Sequence, residues 1–293
     1  MTRIAVLSDI HGNLPALDAV IQDLAQYAPD AVVVAGDLIN LGPFSTEVLE
    51  RVFARDWAVI RGNHEFYLLN YDTPRALPHW RDYTTPGWLR RTIPMPLQRR
   101  IAALPDTLTL FYPDTPPLRV VHGYPDTHWD GMYPSTPDEE VLAHYQDVEE
   151  EMIICGHIHL TQERHLRQNG RAWHIANAGA LGVPLNGLPG RAPYMILDGD
   201  AHGWQPTYLH ADYDQTPLMD ALASDDYREA HGAYAALYTE EFRTARLRIW
   251  PFNQWRTQRY PDMRPTQAMT DEFLALGEGI WDYTHRDFWL NRD

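Results

Sequence analysis

Apolar residues in this chain come in short unbroken runs separated by polar turns. Ile4-Ala5-Val6-Leu7 has the length and β-branching of a strand buried on both faces. Leu14, Leu17, Val20, Ile21 and Leu24 then recur at helical spacing, with Pro15 suited to a first turn. Ala31-Val32-Val33-Val34-Ala35 reads as a second strand. A helix from Ser45 or Thr46 to about Arg55 follows, burying Val48, Leu49 and Val52. A third strand, Trp57-Ala58-Val59-Ile60, completes three strand-then-helix units, which imply parallel strands joined by crossovers. Residues 67–96 break the regularity. Tyr71, Trp80, Tyr83, Trp88 and several prolines mark an insertion that covers something.

Beyond it the pattern predicts a short helix near 97–104, strands at 108–112 and 118–121, and a loop over 124–134 carrying Trp129 and Tyr133. A helix from about 135 toward 148 and a strand at 152–155 come next. Asn169-Gly170, between the stretches 163–166 and 172–176, is a strong type I′ hairpin signal. Strands near 193–197 and 204–209 flank a turn expected at Asp198-Gly199-Asp200. The second half of the core is therefore expected to be an antiparallel meander forming a second sheet. After Asp214, helices are predicted at 218–222, 227–242 and 270–283, with an irregular segment rich in Trp, Arg and Pro between the last two. Residues 1–212 read as a core and 213–293 as a helical appendage. Leu218, Leu222, Phe242, Phe273 and Leu276 need burial, so the appendage is expected to pack on the core and limit access to its cleft.

Composition narrows the class. The chain has 293 residues, 44% of them hydrophobic, enough for a large core. No apolar stretch is long enough to span a membrane, and Met1-Thr2-Arg3 runs straight into a strand rather than into a signal peptide. A single cysteine, Cys155, excludes an internal disulfide and fits a reducing cytoplasm. The net charge of -16 repels nucleic-acid backbones and anionic membranes. An anionic substrate then needs a local attractor, and bound metal ions would supply one. All 24 basic residues are arginine, which removes any lysine nucleophile or Schiff base.

Candidate chemistry gathers where strands end. Asp9 and His11 follow the first strand, and residues two apart on an extended backbone project the same way. Gly36-Asp37 ends the second strand and Gly62-Asn63-His64-Glu65 the third. His122-Gly123 and Gly156-His157-Ile158-His159 end two later strands. In parallel sheets functional groups collect at the carboxyl ends of strands. Mixed oxygen and nitrogen donors without thiolates suit Mn, Fe, Co, Ni or Zn. Each group stands beside a glycine, read here as letting the backbone turn tightly. Asn13 and Arg61 flank the motifs, where packing behind the site is expected ahead of substrate contact; the other nine histidines are expected at the surface or in satisfied core positions, with His128 and His174 the candidates among them for lining the site.

As a set, Asp9-x-His11, Gly36-Asp37, Gly62-Asn63-His64-Glu65, His122 and Gly156-His157-x-His159 resemble the signature of the calcineurin-like metallophosphoesterase superfamily, over roughly residues 1–214. Asn177-Ala178-Gly179-Ala180-Leu181-Gly182-Val183-Pro184 is similar to a loop of its small bacterial and archaeal phosphodiesterase branch. Ala178 and Ala180 stand where that loop carries Pro and Ser, so the serine hydroxyl is absent. The resemblance implies an α/β fold: a four-layer α/β/β/α sandwich of two mixed sheets, with the C-terminal helical appendage added. It implies two divalent transition-metal ions, Mn or Fe foremost, with Asp9, His11 and His159 holding one and Asn63, His122 and His157 the other. Asp37 would bridge them, sharing its two oxygens between the ions. A metal-bridging hydroxide would attack phosphorus in line, and His64, not itself a ligand, would protonate the leaving oxygen.

The reaction class that follows is metal-dependent hydrolysis of a phosphate ester, with a phosphodiester of a small molecule or nucleotide as the leading substrate. A protein phosphatase is an alternative, but such relatives carry Asp and Arg where this chain has Asn40 and Leu41. Diadenosine-polyphosphate hydrolysis stays open. A non-catalytic metal-fold scaffold is the remaining alternative, against which stands the full retention of ligand positions and His64.

Overall fold

The computed structural model of the chain describes residues 1–78, 80 and 83–277. Its core is two five-stranded sheets packed face to face. In the first, β1 (Thr2–Leu7), β2 (Ala31–Val34) and β3 (Ala58–Val59) run parallel, linked by helices α1 (Leu14–Leu24) and α2 (Ser45–Phe53). Helices α3 (Asn63–Asn70), α4 (Thr85–Thr92) and α5 (Met95–Ala103) follow β3, so much of the irregular insertion is helical. The second sheet holds β4 (Leu108–Leu110), β5 (Leu118–Val120), β6 (Met152–Cys155), β7 (Thr161–Gln168) and β8 (Arg171–Ala178), in the order β4-β5-β6-β8-β7. Helix α6 (Asp138–Tyr145) connects β5 to β6, which pair in parallel.

Side-chain alternation along the strands builds the layers. On β1, Ala5 and Leu7 point into one core with α1 and α2, while Ile4 and Val6 point into another. That second core lies between the sheets, where Ile4, Val6 and Val33 meet Val120, Ile154 and Ala176. On the far side Val121, Ile153 and Ile175 pack against Val141 and Tyr145 of α6. The resulting helix–sheet–sheet–helix order is the expected sandwich.

The meander differs from expectation. The hairpin at Asn169-Gly170 is present, Asn169 and Gly170 both having positive φ, but β8 also pairs in parallel with β6. Strands β9 (Arg191–Asp200) and β10 (Gly203–Asp212) leave that sheet altogether and extend the first one, β9 lying antiparallel to β1. Their turn falls at Ala201-His202, beyond Asp198-Gly199-Asp200, because those three residues are paired strand. Pairing with β1 buries Tyr194, Met195, Ile196 and Leu197 from both sides, which a separate two-stranded ribbon could not do.

After β10 come α7 (Thr216–Leu222), α8 (Asp225–His231), a 3₁₀ turn Gly232–Tyr234, α9 (Ala235–Thr244), α10 (Ile249–Arg259) and α11 (Gln267–Ala275). The single helix expected over 227–242 is broken at Gly232, whose φ is +52°. The segment read as irregular contains α10, which tolerates Pro251 because it sits in the first turn, where a missing N–H costs nothing. The end of the helix expected over 270–283 lies outside the described residues. Leu218, Leu222, Tyr227, Leu237 and Phe252 form a core that also takes Leu41, Val183 and Leu185 from the sandwich. No helix among the described residues is long and apolar enough to cross a membrane.

Candidate metal centre and cleft

The strand-end groups from both sheets meet at one edge of the sandwich. His11 and His159 bring their Nε2 atoms to 3.0 Å. Asp9 Oδ1 lies 3.5 Å from His159 Nε2 and 3.9 Å from His11 Nε2. A second set forms alongside, where Asn63 Oδ1 is 2.9 Å from His122 Nε2 and 3.0 Å from His157 Nδ1. Asp37 stands between the sets, its Oδ2 being 3.6 Å from His11 Nε2 and 3.2 Å from His122 Nε2. One oxygen of Asp37 thus faces both sets. Its other oxygen, Oδ1, accepts the His64 backbone N–H at 2.8 Å, which fixes the carboxylate between the two sets.

These atoms fit a cation better than they fit one another. His122 Nδ1 faces the Ala35 carbonyl at 2.8 Å, to which it can only donate, so Nε2 of a neutral ring presents a lone pair. That lone pair points at two oxygens, Asn63 Oδ1 and Asp37 Oδ2, and three acceptors aimed at one place call for a positive charge. In the protein alone a proton supplies it: burial opposes the charge, yet Asp37 raises His122 to about 10. Burial likewise opposes the Asp37 charge, but His122 and His64 hold it well below the usual carboxylate range. Burial, aided by His122, pushes His157 down to about 3, and burial with His64 and His159 keeps His11 well below its ordinary value. Neutral imidazoles and ionised carboxylates are the forms that ligate metal.

The backbone is bent to reach this arrangement. Asp9, His11, Asp37, His157 and His159 have φ of 53°, 49°, 55°, 72° and 60°, left-handed conformations that cost of order 1 kcal/mol each outside glycine. These candidate ligand residues therefore make the turns themselves, and two of the neighbouring glycines serve another purpose. At Gly62 a Cβ would lie 2.1 Å from Asp37 Oδ1, and at Gly156 it would lie 2.0 Å from Ser8 Oγ. Only a bare backbone lets neighbouring loops of the first sheet approach so closely at Gly62, and the two sheets' loops at Gly156.

Two important neighbours carried no role in the sequence reading. Glu65, fully buried, accepts backbone N–H groups of Gly62 (2.7 Å), Leu38 (2.9 Å), Asp37 (3.0 Å) and Ile39 (3.4 Å). It lashes the Asp37 loop to the start of α3, while burial and the Asp37 charge push its carboxyl up to about 7. Its place at the fourth position of Gly62-Asn63-His64-Glu65 was the available signal. Asn40 holds His64: its Oδ1 accepts the Leu41 N–H at 2.7 Å, which turns Nδ2 toward His64 Nδ1 at 2.8 Å. Because a backbone N–H can only donate, the amide orientation is settled. His64 Nδ1 must accept, and Nε2 carries the proton.

The other candidates lie elsewhere. Asn13 is buried and caps α1 through Ala16 N, its amide nitrogen donating to Gly182 O and Tyr213 Oη. Arg61 is tied to Asp106 at 2.5 Å and lies over the Phe66 ring, so its charge is spent away from the cleft. His128 packs on Phe66, and His174 pairs with Glu163 at 2.7 Å; neither lines the cleft.

Above the centre opens a cleft of about 670 Å³, with Asn63, His64, His157 and His159 in its lining. Tyr238, Glu241, Leu247, Ile249 and Trp250 from the C-terminal helices and the loop before α10 form one wall. Tyr227 of α8 donates to the Leu41 carbonyl at 2.5 Å, fastening this layer to the loop that follows Asp37.

Comparison with known proteins agrees with this geometry. Residues 2–160 match the family model described as calcineurin-like phosphoesterase. Phosphodiesterase YfcE of Escherichia coli is 27% identical over 210 residues, covering 68% of this chain and 89% of that protein. An uncharacterized protein of Methanocaldococcus jannaschii is 24% identical over 214 residues, covering 67% of this chain and 83% of its own. The crystal structure of a metallophosphoesterase from Sphaerobacter thermophilus superposes with a TM-score of 0.64 at 21% identity, covering 83% of this chain and 99% of that one.

Proposed function

We propose, from the premise that this chain belongs to the calcineurin-like phosphoesterase family and is a hydrolase of phosphoric esters, that it is a two-metal phosphodiesterase of small molecules or nucleotides. The observation that carries the reading is the convergence of two donor sets on Asp37 Oδ2. Asp9, His11 and His159 would hold one ion and Asn63, His122 and His157 the other, with Asp37 shared. When bound, such ions polarise the phosphoryl group, offset its charge and make water a competent nucleophile near neutral pH. Manganese or iron suits the nitrogen–oxygen donor set.

The chain's own residues do the rest. His64 would present Nε2–H to the leaving oxygen, with Asn40 keeping the ring in that orientation. Burial lowers the His64 pKa, so the ring is neutral at pH 7; a neutral imidazole does not surrender that proton, and Nε2–H steadies the charge growing on the leaving oxygen as a hydrogen-bond donor while water supplies the proton. Leu41 stands where phosphomonoesterase relatives place an arginine fork, and no arginine lines the cleft among the described residues. A phosphomonoester dianion thus lacks its paired hydrogen-bond donors, whereas a monoanionic diester with a second arm does not need them. The wall from the C-terminal helices narrows the cleft toward small substrates.

Turnover of bis(p-nitrophenyl) phosphate and p-nitrophenyl phosphate with manganese supplied tests this. The diester should have the higher kcat/KM, and a chelator should abolish both activities. A clear preference for the monoester would overturn the diesterase reading.

A further inference from the structure

The cleft beside the metal centre is walled by aromatic rings: Tyr67, Tyr83, Trp129, Tyr133, Tyr238 and Trp250. They come from α3, the insertion, the loop before α6, α9 and α10, so five separate parts of the chain deliver flat apolar surfaces to one space. The rings run outward from the site. His64 meets Tyr67 at 5.2 Å between centroids, and Tyr67 meets Trp129 edge to face at 5.6 Å. Trp129 ends the series still 38% exposed, an indole in the wall of a cleft rather than in a core. Charge in the lining is one-sided. Asp130 and Glu241 are present, no arginine lines the cleft among the described residues, and the chain has no lysine. Glu241 is itself buried, its Oε1 accepting the backbone N–H groups of Arg248 and Ile249 at 2.7 and 2.9 Å.

We propose that this cleft is a subsite for an uncharged aromatic arm of the phosphodiester, an aryl group or a nucleoside, and that it selects against arms bearing further phosphates. The inference rests on the phosphodiesterase reading and gives it a substrate class. A ring entering the cleft gains stacking on Trp129, Trp250 and the tyrosines, an interaction indifferent to which base is offered. An arm with additional phosphate meets Asp130 and, among the described residues, no arginine in the lining, at a net charge of -16. The volume of about 670 Å³ lies in the range that encloses a nucleoside-sized group.

The test uses p-nitrophenyl diesters that share one leaving group and differ only in the retained arm: methyl, phenyl, thymidine 5′-yl, and a thymidine arm carrying an extra phosphate. In each, a water oxygen forms the new P–O bond, and p-nitrophenolate leaves with the electron pair of the broken one. Phenyl and thymidine arms should exceed methyl in kcat/KM by about tenfold or more, the scale of one ring stacking on another. The arm with extra phosphate should fall below thymidine. In Trp250→Ala and Trp129→Ala the aryl-to-methyl ratio should collapse toward one. Binding gives a readout without turnover: phenylphosphonate should bind more tightly than methylphosphonate and quench tryptophan emission. Hydrolysis of all arms at equal kcat/KM overturns the subsite and leaves the phosphodiesterase reading standing, as does preference for the extra phosphate. Hydrolysis of none, with metal bound, removes both.

Discussion

Glu65 offers the sharpest test of how the centre is held. Its carboxylate is fully buried and accepts four backbone N–H groups, three of them at 3.0 Å or less. Glu65→Ala deletes every one of those acceptors. A buried donor left without a partner costs about 1–3 kcal/mol, and water admitted to the new cavity recovers part of it. Three strong bonds therefore put the loss at about 3–6 kcal/mol, a large share of the roughly 5–15 kcal/mol that stabilises a typical domain. At about 2–4 °C per kcal/mol for a chain of this size, Tm should fall by roughly 10 °C or more. Glu65→Gln keeps one acceptor but sets an amide against two N–H groups, so it should fall between the two proteins. Denaturant unfolding of the metal-free proteins reads the difference, and element analysis reads whether the Asp37 loop still holds metal. A loss below about 1 kcal/mol in Glu65→Ala would refute the idea that this carboxylate organises the loop.

Other outcomes follow from the same geometry. His64→Ala should retain metal yet lose about 10²–10⁴ in kcat, less for substrates with good leaving groups; loss of metal would make His64 a ligand instead. Asn40→Ala should lower kcat by up to about tenfold, the worth of one orienting hydrogen bond, with metal content unchanged; full activity would show that His64 needs no such anchor. Asp37→Ala should deplete both sites and His11→Ala mainly one, as counted by metal analysis, and two-ion occupancy in Asp37→Ala would remove the bridge. His122 is raised to about 10 without metal and is therefore protonated at neutral pH, but it ligates only when neutral. Metal uptake at pH 7 should release about one proton or more, and its affinity should rise with pH. Calorimetry in buffers of different ionisation enthalpy measures this, and zero release would contradict the charge state assigned to His122.

Much of the molecule was legible in the linear pattern. The runs Ile4–Leu7, Ala31–Val34 and Met152–Cys155 are apolar enough to be read as buried strands, and each leads into a Gly, Asp or His placed where a strand must end. Period and composition are local properties, so they survive without knowledge of the fold. Sheet membership does not. Strands β9 and β10 look like part of the second sheet's meander in sequence, and only pairing with the edge of β1 decides that they join the first sheet. The roles of Asn40 and Glu65 were hidden for a similar reason. Each acts through backbone N–H groups or a ring nitrogen, partners that every residue or histidine offers and that only a chain path can bring within 3 Å or so. The same holds for Arg61, whose position beside Gly62-Asn63-His64 left substrate contact open while Asp106, distant in sequence, claimed its charge. Donor identity is written in the residues, whereas which donors face one oxygen of Asp37 is set by two sheets packing until Gly156 closes on Ser8.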